Sequence, residues 1–216
     1  MSELAVRREE ERGRRRAEII EAAEVLYAER GWDLVAIDQV ARAARLSRAL
    51  VYVYFRDKDD LLLAIASRGL EHLAARFREA SSKAGRGRAK IEAIGRAYLS
   101  FAFEETHLFD ACMRAQTGRG TASERPSAAA CEAAGRKVDD VVMEALRLGL
   151  ADGSIRRDLG EVERVSVALW AFTHGLAQVL MAKKGTLEDR GIQAAAFTES
   201  ALGMLDVMLA PPGGQP

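Results

Sequence analysis

The sequence predicts an all-α fold of about nine helices, with three helices at the N-terminus followed by a larger helical domain. Three observations predict it. Of the four prolines, three stand at Pro211, Pro212 and Pro216, so the interior is almost free of helix breakers. Alanine, leucine, glutamate and arginine, all good helix formers, dominate the composition. Apolar residues recur at three- and four-residue intervals along most of the chain, the period of an amphipathic helix. With 49% hydrophobic and 30% charged residues, the 216-residue chain is long enough to bury a sizeable core.

Taken in order, Ile19, Ile20, Ala23, Leu26 and Tyr27 mark a first helix over 14–30, with Gly31 placed as its C-cap glycine. Ile37, Val40, Ala41 and Ala44 form a second, very short stripe. Leu50, Val51, Tyr54 and Phe55 form a third, and only Arg45 to Ser47 separate the two. Asp57 offers a side-chain cap to a fourth helix carrying Leu61, Ile65, Leu73 and Phe77, with Asp59 and Asp60 in its first turn. Residues 83–88 read as a loop. Ile91, Ile94, Tyr98, Phe101 and Leu108 begin a series that ends near Thr117, and Val138 to Leu148 mark a long helix closed by Asp152 and Gly153. The last two helices each carry two apolar faces, where a surface helix needs one. Either they are buried on both sides within the subunit, or the second face packs against another subunit.

The domain organisation expected is a basic arm over 1–13, a three-helix module over 14–60, a larger domain over 61–210 and a disordered tail over 211–216. Net charge is zero, so any attraction for polyanions must come from where the charges lie. Residues 7–16 hold six arginines against three glutamates, and residues 39–58 hold five basic residues against one acid. Cys112 and Cys131 are too few for a disulfide framework, and no Cys/His cluster has zinc spacing, so both thiols read as reduced and no metal or cofactor is implied. The basic start has no apolar stretch after it, and no run of about 18 apolar residues occurs, which predicts a cytoplasmic protein. Three histidines, no nucleophile elbow and no glycine-rich phosphate loop leave catalysis without a constellation, so no enzyme is expected.

Counted from Ile37 as the first position, Val40 is fourth, Ala41 fifth, Ala44 eighth, Leu46 tenth, Val51 fifteenth and Tyr54 eighteenth. This is the apolar skeleton of a helix-turn-helix: the small Ala41 lets two helices cross at close range, and the others fix the angle of the second helix. Arg48, Ala49, Leu50, Tyr52 and Val53 then face outward, where they could enter a DNA major groove.

The stretch from Arg16 to Ile65 resembles the N-terminal domain of the tetracycline-repressor (TetR) family without a gap. The resemblance is carried by Ala22-Ala23, Leu26-Tyr27, Gly31-Trp32, Ile37, Val40-Ala41, Ala44, Leu46-Ser47, Tyr52, Tyr54-Phe55, Lys58 and Leu61. It implies that Ser47 to Tyr54 is the recognition helix and that Tyr52, Tyr54 and Lys58 touch the DNA backbone. The DNA-binding set is thus Arg45, Ser47, Arg48, Ala49, Leu50, Tyr52, Val53, Tyr54 and Lys58, with Arg48 and Leu50 expected to discriminate bases. Three residues depart from the family pattern. Ala36 replaces a helix-capping threonine, Arg45 a turn glycine that often needs positive φ, and Ala49 a glycine early in the recognition helix.

The C-terminal part resembles a TetR subgroup with a Trp, His, Gly pattern, here Trp170, His174 and Gly175. The resemblance implies a homodimer whose last two helices form a four-helix bundle with their symmetry mates, as the second apolar faces suggest. The dimer residues expected are Ala168, Ala171, Gly175, Phe197, Ala201, Met204 and Met208. Soft, aromatic and sparse polar side chains in the middle helices suit a small-molecule effector: Phe101, His107, Phe109, Met113, Gln116, Met143, Trp170, His174 and Gln178. The function expected is a transcriptional repressor that binds a roughly palindromic duplex and is released by a small hydrophobic or aromatic ligand. The alternatives are a regulator that senses redox state through Cys112 and Cys131, or an architectural DNA binder without a ligand.

Overall fold

A computed structural model of the chain describes residues 3–117, 125–182 and 184–212. Most of the tail expected over 211–216 lies outside the described residues. Among the described residues ten α-helices follow one another: α1 Glu3–Arg30, α2 Ile37–Ala43, α3 Arg48–Tyr54, α4 Lys58–Lys83, α5 Gly87–Glu104, α6 Thr106–Thr117, α7 Ala128–Ala151, α8 Val162–Ala182, α9 Lys184–Asp189 and α10 Ala194–Leu209. Short 3-10 turns cover Trp32–Leu34 and Arg157–Leu159. No strand occurs among them, in keeping with the all-α reading. The tenth helix arises because the segment after Gly185 is broken: the Arg190, Gly191 and Ile192 amides close back onto the Leu187 and Glu188 carbonyls. The apolar series over 91–117 is likewise two helices, parted at Glu105.

The first helix is longer than the apolar stripe predicts, because its first turns are held by charge rather than by a core. Arg7 donates to Glu3, Arg14 to Glu11 and Glu18, and Arg15 to Glu11 and Glu18, all across three or four residues and at 2.7 to 3.1 Å. Exposed pairs of this kind contribute about 0.2 to 0.5 kcal/mol each. Several together carry an otherwise polar helix past the point where its apolar face ends. The segment 3–13, read from sequence as an arm, is therefore helical.

The chain divides into two compact units. The first comprises 1–70 and 105–134, the second 71–104 and 135–216. In the first, Ile19, Ile20, Ala23 and Tyr27 of α1 are buried with Trp32, Val35 and Phe55; of the skeleton predicted from the helix-turn-helix spacing, Ile37, Val40, Ala41 and Val51 are buried and Ala44, Leu46 and Tyr54 half-buried. Gly31 follows α1 where the C-cap glycine is predicted, at φ 77° and ψ 152°, a positive φ that favours glycine without the left-handed helical ψ, its amide bonded to the Tyr27 carbonyl.

At the start of α4 a polar core joins three parts of this unit. Asp57 caps the helix by accepting from the Asp60 amide at 2.7 Å. Asp60 itself is fully buried and accepts from the Arg56 amide and the Ser127 amide, both at 2.9 Å. Arg16 of α1 donates to the Ser127 hydroxyl at 2.9 Å and lies over the Phe55 ring, while Arg125 donates to Asp57 and Asp59. A second polar set ties α6 to α1: Tyr27 donates to Asp110 at 2.7 Å, and Arg114 reaches both Asp110 and Asp33.

In the second unit α5 and α7 meet backbone to backbone at Gly87 and Gly149. A Cβ on Gly87 would fall 2.0 Å from the Gly149 amide nitrogen, so no side chain fits there. The free amides at the start of α5 are satisfied by the loop after α7, Gly87 by the Asp152 carboxylate and Arg88 by the Ser154 hydroxyl. Arg96 of α5 holds Glu199 of α10 in a bidentate pair at 2.6 and 2.7 Å. Phe101, Leu146, Ile155 and Leu202 are the largest fully buried apolar side chains in this unit.

Two of the departures in the helix-turn-helix have structural costs. Ala36 is extended at the N-cap of α2 with no side-chain acceptor to offer, and Gln39 compensates only by accepting from the Ala36 amide at 3.0 Å. Arg45 lies at φ 56°, the one non-glycine residue with positive φ among the described residues. Ala36→Thr should therefore stabilise the protein by about 1 kcal/mol. Arg45→Gly should gain up to about 1 kcal/mol, since relief of the left-handed penalty, about 1 to 2 kcal/mol, exceeds the added chain entropy of glycine. Denaturant midpoints of the two variants check both values, and a midpoint below that of the parent would contradict them.

Candidate nucleic-acid interface

The turn between α2 and α3 is closed by two backbone bonds, Arg45 amide to Arg42 carbonyl at 3.1 Å and Leu46 amide to Ala41 carbonyl at 2.8 Å. Ser47 then caps α3, its hydroxyl accepting from the Leu50 amide at 3.2 Å. Val51 is fully buried and anchors the helix against its own unit. With one face so committed, the opposite face is left to solvent. Arg48, Ala49, Tyr52 and Val53 are exposed, Val53 to 69%, while Leu50 and Tyr54 are half-buried.

The exposed face is electrostatically uneven. Arg48 is held in place by Asp38 of α2 at 3.1 Å and by the Tyr52 hydroxyl at 3.4 Å, its guanidinium over the Tyr52 ring. Arg42 and Arg45 are exposed and have no carboxylate partner among the described residues. Lys58 is placed differently from the others: its ammonium donates to the Trp32 carbonyl at 2.7 Å and sits 4.9 Å from the centre of the Trp32 ring. Burial there holds its pKa below the ordinary lysine value. Thus Arg45, Ser47, Arg48, Ala49, Tyr52 and Val53 share one exposed surface, Leu50 and Tyr54 border it, and Lys58 braces the 3-10 turn beside α4. Arg42 escaped the sequence reading because its partnerless state depends on where the acids of the fold lie.

The residues expected at an effector site fall into both units. In the first, His107 lies 3.7 Å from Glu24 and edge-on to Tyr27, Phe109 is buried and Met113 half-buried. The Gln116 side chain lies outside the described residues. In the second, the structure brings His174, Trp170 and Tyr98 together. The His174 Nδ1 and the Tyr98 hydroxyl share a hydrogen bond at 3.0 Å, and the Trp170 and His174 rings stack at 5.5 Å. Burial lowers the His174 pKa, so the ring stays neutral at neutral pH. Phe101 is fully buried, Met143 half-buried and Gln178 exposed. Tyr98 carried only a core signal in sequence, as one member of an apolar stripe.

On α8 and α10, Ala168, Ala171, Gly175, Met204 and Met208 are exposed, as are Val167, Trp170 and Val207, whereas Phe197 is half-buried. A Cβ on Gly175 would meet nothing within 4 Å. Ala201 is buried at 7% exposure inside its own unit, because α10 turns it inward with Leu202 and Leu205. Cys112 is buried with its thiol directed to the Ala66 carbonyl, and burial pushes its pKa up to about 12. Such a thiol holds almost no thiolate at neutral pH, while Cys131, the other thiol of the redox alternative, is half-buried. Among the described residues no group of three or more His, Cys, Asp or Glu side chains could hold a metal ion, and no helix is long and apolar enough to cross a membrane.

Residues 19–65 match the family described as "Bacterial regulatory proteins, tetR family", and residues 91–205 match "Tetracyclin repressor-like, C-terminal domain". The latter description does not single out a Trp-His-Gly subgroup. Among curated relatives, the HTH-type transcriptional regulator HbdR of Aromatoleum sp. (strain CIB) is 50% identical over 48 residues, 22% of this chain and 21% of that protein. The match thus spans about a fifth of the relative's length. A Rhodococcus sp. RHA1 protein of unknown function has a similar solved structure, with TM-score 0.72 and 27% identity over 91% of this chain and 95% of that one. PfmR of Thermus thermophilus, a TetR family transcriptional regulator, shares the fold at TM-score 0.61 and 20% identity, over 88% of this chain and 96% of that one. With one family description covering the helix-turn-helix and another covering more than half of the chain, the protein belongs to the tetR family of helix-turn-helix transcriptional regulators.

Proposed function

We propose that the protein is a repressor that binds a roughly palindromic DNA duplex as a homodimer and leaves it when a small hydrophobic or aromatic molecule binds in the second unit. One observation carries the DNA reading: α3 is anchored by a single buried residue, Val51, and presents Arg48, Ala49, Tyr52 and Val53 to solvent on a capped, tightly turned helix. Such a helix suits a major groove. Arg48, oriented by Asp38, reads a base edge, and Leu50 supports it. Ser47, Tyr52 and Tyr54, with Arg42 and Arg45, hold phosphates and so set register without reading sequence. Lys58 acts as a positioning residue through Trp32, and its ammonium remains near enough to the helix to add to the local positive field. Such a protein works in the cytoplasm, where the DNA is.

The dimer rests on the apolar face that α8 and α10 leave open, with Val167, Trp170, Ala171 and Gly175 on one helix and Met204, Val207 and Met208 on the other. Exposed apolar surface of this extent marks a contact with another subunit. Ala168 and Phe197 border that face, while Ala201 supports it from within.

For the effector, the Tyr98, His174 and Trp170 cluster supplies one hydrogen-bonding pair inside aromatic surroundings, the sparse polarity of a small-molecule site. Phe101, Met143 and Gln178 would complete its walls in the second unit. His107, Phe109, Met113 and Gln116 belong to the first unit and would take up the response there. Because α4 runs unbroken from Lys58 to Lys83, a ligand that prefers one setting of this helix would alter the DNA-reading helices and be altered by them to the same degree.

Three outcomes are expected. Footprinting of the full-length protein on the region upstream of its own gene should protect two half-sites related by a two-fold axis, whereas one unsymmetrical half-site bound by a monomer would contradict the reading. Gly175→Trp combined with Met204→Asp should convert the dimer to monomers in sedimentation and abolish operator binding while the circular dichroism stays helical. An intact dimer would place the seam elsewhere. Calorimetry should find effector bound more weakly to operator-loaded dimer than to free dimer, and His174→Ala should reduce effector affinity with operator affinity nearly intact. Equal effector affinity in both states would refute the coupling.

A further inference from the structure

We propose that the N-terminal turns of α1 form a second DNA-backbone clamp, in which Arg8 and Arg12 grip phosphates of a strand leaving the recognition helix. The proposal rests on the DNA reading of α3 and extends the interface beyond it. A groove of about 540 Å³ opens between Leu4, Arg8 and Arg12 on α1 and Val53 and Tyr54 at the end of α3. It is therefore continuous with the surface that faces the major groove.

The charges in this groove are sorted. Arg7 is paired with Glu3, and Glu11 is engaged by both Arg14 and Arg15, so its negative charge is quenched. Arg8 and Arg12 have no carboxylate partner among the described residues and are exposed. Four residues apart, they stand on one face about 6 Å along the helix axis, a spacing that lets each take one of two neighbouring phosphates. Between them and α3, Leu4 and Val53 are each 69% exposed, an apolar strip that would be unfavourable against water alone. Guanidiniums beside an apolar strip match a strand of alternating phosphate and deoxyribose: the phosphates meet arginine, and the sugars cover Leu4 and Val53. The clamp reads no bases, so it adds affinity to every sequence alike.

Binding of the full-length protein to a fluorescently labelled duplex of arbitrary sequence, about two to three helical turns long, tests the clamp by anisotropy across a salt series. Alanine is the best helix former, so Arg8→Ala with Arg12→Ala leaves α1 helical, which circular dichroism verifies. The double variant, which removes two contacts from each of the two protomers, should lose between about three and four units from the slope of log affinity against log salt, roughly 0.9 for each of four phosphates released. Arg8→Lys with Arg12→Lys should keep the slope. If the wild type binds with a steep salt dependence and the alanine pair has the same slope, the clamp is overturned while the recognition-helix reading stands. If the wild type binds neither this duplex nor the region upstream of its own gene, the DNA reading fails and the clamp fails with it. An unchanged duplex slope together with lost binding to phosphatidylglycerol vesicles would also overturn the clamp, and would assign the groove to lipid phosphate instead.

Discussion

The fully buried carboxylate of Asp60 is the constraint on which the DNA-reading half of the molecule depends. A carboxylate out of water is costly unless each of its oxygens finds a donor. Asp60 finds them in the Arg56 amide at the exit of the recognition helix and in the Ser127 amide at the entry to α7. Its position at the first turn of α4, under the Asp57 cap, adds the favourable field of the helix N-terminus. One side chain thereby sets where α3 ends, where α4 begins and where α7 approaches them. Arg16 and Arg125 close the arrangement from α1 and from the chain before α7, so a shift in any of these segments disturbs a buried charge.

Net charge says little about this protein, and pairing says a great deal. Thirty-two basic residues are matched by thirty-two acidic ones, yet the fold does not distribute the matches evenly. Arg14, Arg15 and Arg114 are consumed by carboxylates within the first unit, whereas Arg8, Arg12, Arg42 and Arg45 are left without carboxylate partners among the described residues. A neutral protein can thus present a local positive field to DNA, and avoid the indiscriminate attraction of a uniformly basic one. Apolar surface is handled in the same selective way. The second unit buries Phe101, Leu176, Leu202 and Leu205 but leaves Val167, Met204 and Val207 open on α8 and α10.

Much of this was legible in the sequence because it rests on short-range physics. Helical periodicity, the near absence of proline and the side-chain cap at Asp57 identify elements through contacts within a few residues. The helix-turn-helix spacing works because a small residue at Ala41 and apolar ones at Val40 and Val51 are all that two crossed helices need. The anomalous turn was visible through the family resemblance: Arg45 stands where the family has a glycine that often needs positive φ, and of a strained residue or a different turn the structure has the former, with φ 56°. The helical arm over 3–13 was less visible, since i to i+4 ion pairs leave no apolar stripe.

The sequence by itself determined the fold class, most of the helix order and the pairing of two short helices in a helix-turn-helix, because each depends on local propensity and on burial of one stripe. Only the tertiary structure decided that Lys58 turns back onto the Trp32 carbonyl, that Ala201 points inward, that Tyr98 partners His174 and that Asp60 is buried between two distant backbone amides. These follow from contacts between residues far apart in the chain, and no local period encodes them. A side chain's partner is set by what the fold brings within hydrogen-bonding distance, so the same lysine or aspartate reads alike in sequence whether it meets solvent, phosphate or a buried carbonyl.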